Sequence, residues 1–596
     1  MRQDPDGLEH EGDSGLGFEG DESIDVCDGA DRMLDHGSNA GDDVKRDSHG
    51  LKRDHDVGEQ DGGIDTEPPH GLQRYLGRDV RSLAYIEQRM LGADRTVFGQ
   101  RSSGLPHEPH RGRVDLVAAT CGEEAIRRSV RRGDGEAPRR RDVNPESYVR
   151  QDVPMTRLFG TDGVRGVANR DLTPDLALAL GRAAATVLSS DGGEVVVGRD
   201  TRVSGPMLEA ALVAGLCSGG IDARLAGVIP SPAVAFLALD EKAAGGAVIS
   251  ASHNPVADNG IKFFGVDGLK LTTDREEEIE ALMARAPEDL LEGTRIGGAD
   301  HLTDGPDRYV SHLLGTLGSS LKGLRIVLDC AFGAAWSVGP RVFREAGADV
   351  VAINSEPDGT RINVDCGSTS LDGLSKRVVV EGADLGLALD GDADRVLAVD
   401  ETGGPVDGDR ILALCAIRLH EAGALKNDLV VATVMANLGF KRALEGKGIE
   451  VFTTPVGDKF VVEAMVERGA VLGGEQSGHM VFSEHATTGD GLLAGLQIAE
   501  AVVSSSTTLS RLTDLFEPFP QVLINVGVAD RDALEGARAL WDEVAVANDH
   551  LGDEGRVLLR ASGTEPVVRV MVEAADADVA RRTAEDLASA VTRYLG

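Results

Sequence analysis

Along much of the chain, short apolar runs alternate with longer segments in which apolar residues recur every three or four positions. This pattern is typical of alternating strands and helices. Residues 194–198 predict a short buried strand, and residues 206–217 predict a helix that the glycine pair 219–220 ends. Residues 247–250 predict a second buried strand, which leads into a polar loop over 251–259. The spacing therefore predicts an α/β layer with a loop at the end of a strand.

The same strand–helix unit recurs twice more. Residues 324–329 and 429–434 each predict a buried strand followed by a helix. Near the C-terminus the pattern changes, because residues 522–528 and 567–572 alternate as half-buried strands do. We therefore predict three α/β layers, whose strand ends offer ligand-binding loops, and a smaller α+β domain at the C-terminus.

The first 154 residues do not share this pattern. Residues 1–70 are rich in Asp, Gly and His, contain one aromatic residue, Phe18, and show no sustained apolar period. Residues 107–141 contain several arginine clusters. Two interpretations stay open for this segment: a disordered regulatory tail, or non-native sequence upstream of a start at Met155. We favour the second because regular patterning begins abruptly at Met155, and we predict no catalytic residue in this segment.

Charge and composition narrow the class of protein. The net charge of −38 argues against nucleic acid and anionic membrane surfaces as partners, and it fits either a salt-adapted or an ordinary acidic surface. No run reaches the ~18 to 20 apolar residues of a membrane span, and the polar residues 1–6 do not begin a signal peptide. The six cysteines form no C-x-x-C pair, which argues against a zinc site and a disulfide framework. We therefore expect a cytoplasmic enzyme.

Three carboxylates lie on one predicted loop. Asp390, Asp392 and Asp394 are spaced at i, i+2 and i+4 between the strand-like runs 385–389 and 396–399. This spacing lets three oxygen ligands converge on one hard cation, Mg²⁺ or Ca²⁺. A solvated acidic turn is the alternative, and it is disfavoured because the flanking apolar runs press the carboxylates inward. We predict a divalent cation site.

An EF-hand is the second metal hypothesis, because Glu401 falls at the twelfth position of a loop that starts at Asp390. The sixth position is Arg395, where an EF-hand needs glycine, and the flanks resemble strands rather than helices. Arg395 instead suits phosphate binding beside the cation.

The loop after the predicted strand 247–250 carries the sequence Ser-Ala-Ser-His-Asn-Pro over 250–255. A serine at the end of a strand, with polar neighbours and a proline that fixes the turn, is well placed to meet a ligand. An ordinary polar turn is the alternative, and the absence of a Gly-x-Ser-x-Gly elbow weakens a hydrolase interpretation. Ten residues after Ser252, Lys262 lies among apolar neighbours. A lowered pKa there would suit a general acid or base, and a plain surface lysine is the alternative.

A glycine-rich polar loop over 473–479 follows an apolar strand that we predict to end at Leu472. Glu475, Ser477 and His479 alternate in it, so an extended backbone would point all three side chains to one side. Such a row of donors and acceptors suits sugar hydroxyls. A capped turn is the alternative.

Another polar loop, residues 560–566, follows a predicted strand over 557–559, and Arg569 comes soon after. The two arginines, Arg560 and Arg569, together with two hydroxyls and glycine-loosened N–H groups, can form a phosphate cradle. A plain loop is the alternative.

Taken in order, these four loops and the opening motif Leu-Phe-Gly-Thr-Asp-Gly-Val-Arg-Gly over 158–166 resemble the α-D-phosphohexomutase superfamily. The resemblance covers residues 155–596, and four loops in order are more specific than any one of them. Within the superfamily the chain is most similar to the bacterial-type phosphoglucosamine mutases, on residues 158–166, 474–479 and 487–491. The extension of 154 residues departs from the family pattern.

The resemblance implies an α/β fold with four domains around a central cleft. Three are α/β domains with mixed sheets, and the smaller C-terminal domain is α+β. The expected boundaries are 155–308 for the domain with the serine loop, 309–408 for the metal loop, 409–519 for the sugar loop and 520–596 for the phosphate loop.

The resemblance also implies catalysis through a phosphoserine at Ser252, which a hexose or hexosamine 1,6-bisphosphate primes. One Mg²⁺ per active site would be held by Asp390, Asp392, Asp394 and a phosphate oxygen on Ser252. The other implied residues are Lys262 as general acid/base with Arg165 and Arg395 in support, and, for substrate binding, Glu475, Ser477, His479, Arg560, Ser562, Gly563, Thr564 and Arg569.

The implied reaction interconverts glucosamine 6-phosphate and glucosamine 1-phosphate through a 1,6-bisphosphate, on the route to UDP-N-acetylglucosamine. The expected partner is a phosphorylated hexosamine, with no nucleic acid and no membrane, and the expected state is a monomer or homodimer. Three rivals stay open: a phosphomannomutase or phosphoglucomutase of the same superfamily, a phosphatase with an aspartyl nucleophile at Asp390, and a non-catalytic phosphosugar-binding protein. The last would show a broken motif, whereas Ser252 and Asp392 are both present.

Overall fold

The computed structural model describes residues 157–160, 162–189, 192–285, 291–562 and 566–596. The expectations for residues 1–154 lie outside these described residues, as do the predicted site residues Gly563 and Thr564. Over the described ranges the chain forms four sheets, of six, five, four and three strands in chain order. No described helix is long and apolar enough to span a bilayer.

The first sheet is mixed and has six strands: β1 (Val164–Val167), β2 (Gly193–Arg199), β3 (Ile221–Val228), β4 (Gly245–Ile249), β5 (Asp258–Phe264) and β6 (Ala299–His301). Its helices are α1 (Pro174–Leu188), α2 (Gly205–Ser218), α3 (Ser231–Asp240) and α4 (Thr273–Met283). In the order β1-β5-β4-β2-β3-β6, β5 runs antiparallel to both neighbours and the other pairs are parallel. The two strands and the helix predicted for this region are confirmed, and the loop from β4 to β5 carries the serine motif.

The second sheet follows α5 (Gly305–Leu314) and consists of β7 (Arg325–Asp329), β8 (Asp349–Ile353), β9 (Leu385–Leu389), β10 (Val396–Asp400) and β11 (Pro405–Val406). Helices α6 (Val338–Glu345) and α7 (Asp372–Glu381) belong to the same domain. The order is β11-β10-β9-β7-β8, in which β7 is parallel to β8 and β9 while β10 is antiparallel to β9. The aspartate loop is the turn of the β9–β10 hairpin, as the apolar runs on its two sides predict.

The third sheet contains β12 (Leu429–Thr433), β13 (Glu450–Thr454), β14 (Leu472–Gly474) and β15 (Met480–Phe482), in the order β13-β12-β14-β15. Its helices are α8 (Gly408–Glu421), α9 (Leu438–Glu445), α10 (Asp458–Arg468), α11 (Gly491–Ser505) and α12 (Leu509–Leu512). The strand predicted to end at Leu472 instead begins there, because β14 pairs with both β12 and β15. The glycine-rich loop therefore closes a hairpin.

The fourth sheet is antiparallel and has three strands, β16 (Gln521–Gly527), β17 (Gly555–Ala561) and β18 (Val567–Ala574), in the order β16-β18-β17. Helices α13 (Arg538–Leu551) and α14 (Ala577–Leu595) pack against it. β16 alternates between exposed and less exposed residues, as predicted, but β18 is buried at most of its positions. The half-buried prediction for β18 is wrong because this strand is central and lies against α14.

The apolar core explains how the domains hold their loops together. One continuous buried cluster includes residues of the first three domains, such as Val248, Leu328 and Leu412. The fourth domain has its own core, which includes Val570 and Leu587. Buried apolar surface contributes roughly 25 cal/mol per Å², so the three domains that share a core resist separation more strongly than the fourth.

Candidate active site

The serine loop follows β4 and places Ser252 in a strained backbone conformation. Its φ of +50° lies in the left-handed region, which costs a non-glycine residue about 1–2 kcal/mol. The residue is 1% exposed. Its Oγ donates a hydrogen bond to Oδ2 of Asp390 at 2.5 Å and lies 3.2 Å from Nδ1 of His253. A strained, buried hydroxyl that meets a carboxylate of another domain indicates a functional position.

Arg202, which the sequence patterns did not single out, supports this loop. Its side chain is fully buried, and a guanidinium has five N–H donors. These donors bond, at 2.5–3.0 Å, to the carboxylate of Asp200 and to the carbonyls of Ser252, Asn254, Pro255 and Asp258. The sequence feature that could have indicated this role is the charged run Arg-Asp-Thr-Arg over 199–202, which follows the predicted buried strand 194–198.

Further contacts hold the serine loop within the first domain and join it to the second domain. Ser250 Oγ donates to Oδ2 of Asp200 at 2.6 Å and accepts from the Ser252 N–H at 2.9 Å. Nδ2 of Asn363 donates to the Ser252 carbonyl at 2.8 Å. A Cβ at Gly391 would lie 2.6 Å from the same carbonyl, so glycine is needed where the aspartate loop approaches the serine loop. The two loops therefore form one unit.

The three predicted metal ligands lie together in the β9–β10 turn. One carboxylate oxygen from each of Asp390, Asp392 and Asp394 lies within 4.8 Å of the other two, and all three residues are buried. Burial, together with the charges of Asp394 and Asp392, raises the pKa of Asp390 well above its usual range. Among the described residues, Oδ1 of Asp392 and Oδ1 of Asp394 are buried and accept no hydrogen bond. Crowded oxygen donors with open lone pairs fit a hard divalent cation.

Lys262, in β5, reaches two of these carboxylates. Its Nζ donates to Oδ2 of Asp392 at 2.8 Å and to Oδ2 of Asp394 at 3.4 Å. Its side chain is 4% exposed, so the surface-lysine alternative is wrong. The lowered pKa expected from the apolar sequence neighbours is also wrong. Burial works to lower the pKa of this amine, but the carboxylates of Asp392, Asp162 and Asp394 raise it above its usual range, so the amine is charged.

Two arginines add positive charge around the serine. Arg165, in β1, pairs with Asp162, and Arg395, at the end of the aspartate loop, places Nε 3.8 Å from Oδ1 of Asp394. Burial and the charges of Arg395 and Arg165 lower the pKa of His253 to about 4, so this imidazole is neutral at pH 7. The positive rim suits an anionic group such as a phosphate.

The loop predicted to bind sugar is a tight turn, and the extended conformation expected from its alternation is wrong. The Glu475 N–H donates to the His479 carbonyl at 3.0 Å, and the Gly478 N–H donates to the Glu475 carbonyl at 2.9 Å, which closes the β14–β15 hairpin. Ser477 Oγ lies 3.5 Å from Oε2 of Glu475. His479 is buried with Nδ1 3.8 Å from Oδ2 of Asp394. Burial works to lower the pKa of His479, but Asp394 raises it.

Arg560 and Arg569 lie directly opposite each other on β17 and β18. Like charges at opposed positions destabilise a sheet. Burial and the charge of Arg569 lower the pKa of Arg560, while Glu475 acts to raise it. Ser562 is buried at the end of β17, and its carbonyl accepts from NH1 of Arg531 at 2.8 Å. The two arginines therefore concentrate positive charge, which suits binding of an anion. Glu475, in the glycine-rich loop of the third domain, is close enough to affect the pKa of Arg560.

Comparison with known proteins identifies the family. The chain matches all four domains described for phosphoglucomutase/phosphomannomutase: alpha/beta/alpha domain I over 156–289, domain II over 307–404, domain III over 407–519 and the C-terminal domain over 523–590. These matches together span more than half of the chain, and each of the four sheets has most of its strands in one of them, with β6 and β11 in the gaps between matches.

Individual relatives agree with this assignment. The phosphoglucosamine mutase of Moorella thermoacetica is 53% identical over 427 residues, which cover 71% of this chain and 96% of that protein. The phosphoglucosamine mutase of Frankia casuarinae is 54% identical over 454 residues, which cover 74% of this chain and 99% of that protein. A crystal structure of a phosphoglucomutase/phosphomannomutase family protein from Burkholderia thailandensis matches with a TM-score of 0.64 at 25% identity, over 74% of this chain and 97% of that one. The chain therefore belongs to the phosphoglucomutase/phosphomannomutase family and, within it, to the phosphoglucosamine mutases.

Proposed function

We propose that this chain interconverts glucosamine 6-phosphate and glucosamine 1-phosphate through a phosphoserine at Ser252 and a hexosamine 1,6-bisphosphate. The observation that carries the proposal is the contact of Ser252 Oγ with Asp390 at 2.5 Å, in a buried cluster with Lys262 and two further carboxylates. Phosphoryl transfer depends on positioning and charge neutralisation, which this cluster provides. The phosphoglucosamine mutases among the relatives support the choice of sugar.

We assign one Mg²⁺ to the aspartate loop. Asp390, Asp392 and Asp394 would hold it, together with a phosphate oxygen on Ser252. The crowding of the three buried carboxylates and the open oxygens of Asp392 and Asp394 support this assignment. When bound, the ion neutralises charge on the transferring phosphoryl group.

In the first half-reaction the phosphoryl group moves from the serine to the sugar. The bond between phosphorus and Oγ of Ser252 breaks, and a bond forms between phosphorus and the free hydroxyl oxygen of the hexosamine monophosphate. In net terms one proton passes from that hydroxyl to Oγ. Because Lys262 is charged, we propose that it first gives a proton to Oγ and then takes one from the hydroxyl. Arg165 and Arg395 keep positive charge beside the phosphoryl group during both events.

The second half-reaction returns the other phosphate of the bisphosphate to Ser252. The bisphosphate must reverse its orientation between the two half-reactions. The phosphate site of the fourth domain, which we call the distal phosphate site, must therefore accept either phosphate of the intermediate. The residues proposed to contact substrate are Glu475, Ser477 and His479 for the sugar, and Arg560, Ser562, Gly563, Thr564 and Arg569 for the distal phosphate. A cytoplasmic location and a monomeric or homodimeric state stay predictions.

Intact-mass analysis tests the phosphoserine. The purified chain should gain one phosphate when it is incubated with glucose 1,6-bisphosphate, and Ser252→Ala should gain none and lose activity. Ser250→Ala is the matched control, because this serine lies in the same loop but is bonded to Asp200; it should still be phosphorylated. If Ser252→Ala carries phosphate and turns over substrate, an aspartyl nucleophile at Asp390 replaces the proposal.

A coupled assay with the three hexose 1-phosphates tests the sugar. We expect the highest kcat/KM with glucosamine 1-phosphate. A higher value with mannose or glucose 1-phosphate would instead make the chain a phosphomannomutase or phosphoglucomutase, the alternative within the same superfamily.

A further inference from the structure

Lys270 joins the first and third domains. It follows the turn after β5, and 11% of its side chain is exposed. Its Nζ donates to Oδ1 of Asp162, in the first domain, and to Oδ2 of Asp458, the first residue of α10 in the third domain. A buried ammonium needs paired carboxylates, and here the two partners come from different domains.

Each of these carboxylates also contacts a side chain of the proposed active site. Oδ2 of Asp162 pairs with Arg165, and Oδ2 of Asp458 lies 3.6 Å from Nε2 of His479. A line of contacts between polar side chains therefore runs from Arg165 through Asp162, Lys270 and Asp458 to His479. This line crosses the domain boundary and ends at the active site on both sides.

A second lysine crosses the same boundary outside this line. Lys459 Nζ donates to Oε2 of Glu276 and to Oγ1 of Thr273, both at 3.2 Å. Its side chain is 11% exposed, the same as that of Lys270. Among the contacts of the described residues, those of Lys459 join the same two domains and include neither Arg165 nor His479. The chain thus offers a matched pair of interdomain lysines.

We propose that Lys270 is a positioning residue that couples the contact between the two domains to the placement of Arg165 and His479. With the lysine present, Asp162 and Asp458 share one cation, and each orients the side chain that it contacts, Arg165 or His479. Without it, the largely buried carboxylates of Asp162 and Asp458 lose their shared cation and repel each other, and a shift of either carboxylate moves the side chain that it contacts. The inference rests on the proposed mutase function, because that function gives Arg165 and His479 their roles.

The test compares Lys270→Met with Lys459→Met in steady-state kinetics with glucosamine 1-phosphate. Lys270→Met should lower kcat on the order of 10²-fold, the effect of misplacing a catalytic group by about 1 Å. Its KM should rise by a smaller factor than kcat falls, because the proposed sugar contact of His479 is disturbed while the distal phosphate still binds the fourth domain. Lys459→Met should keep a kcat close to that of the wild type, and Lys270→Arg should recover part of the lost rate. The two lysine side chains are equally exposed, but Lys270 pairs with two carboxylates and Lys459 with one. The unfolding free energies of both methionine variants are therefore measured beside kcat, to separate lost stability from lost positioning.

A double-variant cycle adds a second readout. Asp458→Asn alone should lower kcat by a larger factor than it raises KM, and it carries the test if Lys270→Met does not fold. Combining Asp458→Asn with Lys270→Met should reduce kcat no further than Lys270→Met alone, because both changes break the same line. The inference is overturned if Lys270→Met and Lys459→Met lose kcat equally, or if the losses of Lys270→Met and Asp458→Asn multiply. A wild-type chain with no mutase activity would instead reject the proposed function.

Discussion

Replacement of Arg202 tests how Ser252, the proposed phosphoserine, is held in its loop. In Arg202→Met the side chain keeps its approximate length but loses the guanidinium. The Asp200 carboxylate and four carbonyls of the serine loop then lose a shared donor. Removing one partner of a buried ion pair costs about 3–5 kcal/mol, and each buried acceptor left unsatisfied adds about 1–3 kcal/mol. Because the loop can relax and these effects overlap, we expect a net loss of about 5 kcal/mol in unfolding free energy.

The strained serine should respond before the rest of the domain. The left-handed conformation of Ser252 needs about 1–2 kcal/mol of support, and the carbonyls that Arg202 holds provide it. Arg202→Lys keeps the charge but offers three donors instead of five, so at least two of the five hydrogen bonds that Arg202 donates are lost. We expect this variant to lose about 2–3 kcal/mol and to accept phosphate on Ser252 more slowly than the wild type.

Two measurements on the same samples check this expectation. Denaturant unfolding gives the stability, read at the first transition because multidomain chains rarely unfold in one step. Intact-mass analysis after incubation with glucose 1,6-bisphosphate gives the rate of serine phosphorylation. Arg199→Lys is the control: Arg199 lies in the same charged run, is 20% exposed and pairs with Glu209 at 3.1 Å. It should behave like the wild type. If Arg202→Lys matches the wild type in both measurements, the guanidinium does not hold the serine loop and the reasoning is refuted.

Three further changes probe the metal, a buried acid and the distal phosphate. Chelation of divalent cations should abolish turnover, which added Mg²⁺ should restore in the wild type but not in Asp392→Asn, as a coupled assay would show. Burial raises the pKa of Asp409 to about 7. Between pH ~4 and ~7 the folded chain therefore holds a proton that the unfolded chain has released. As a result, the free energy of unfolding falls as pH rises through this window. Asp409→Asn should lack this dependence, so the difference in unfolding free energy between variant and wild type should change by up to about 4 kcal/mol between pH 4 and pH 8 in denaturant titrations. Arg569→Gln should raise KM about 10- to 100-fold with a smaller effect on kcat, because a charge-assisted bond to phosphate is worth about 1.5–3 kcal/mol.

Each of these has an outcome that counts against it. Full activity after chelation would remove the metal from the mechanism. Parallel pH profiles for Asp409→Asn and the wild type would mean that the aspartate titrates alike in the folded and unfolded chains. An unchanged KM in Arg569→Gln would place the distal phosphate elsewhere.

Local sequence patterns were enough to predict several strands and helices, their order, and the loops that carry the candidate site residues. Alternation of apolar and polar positions is a local property, so the strands before Ser252 and around the aspartate loop followed from it directly. The spacing of Asp390, Asp392 and Asp394 was equally local, because one turn of a hairpin brings them together. The start of β14 was misplaced because it depends on partner strands that are distant in the chain.

Only the tertiary structure decided the charge states and the supporting contacts. Lys262 has apolar neighbours in the sequence, yet its pKa is raised by a carboxylate 130 positions away, because charges interact through space and not along the chain. Arg202 and Lys270 escaped the patterns for the same reason, since their partners lie on segments that meet only after folding. Burial then strengthens these contacts by removing water. The phosphoserine hypothesis could therefore be drawn from the sequence motifs and their family resemblance, while the contacts that hold Ser252 and set the charge of Lys262 could not.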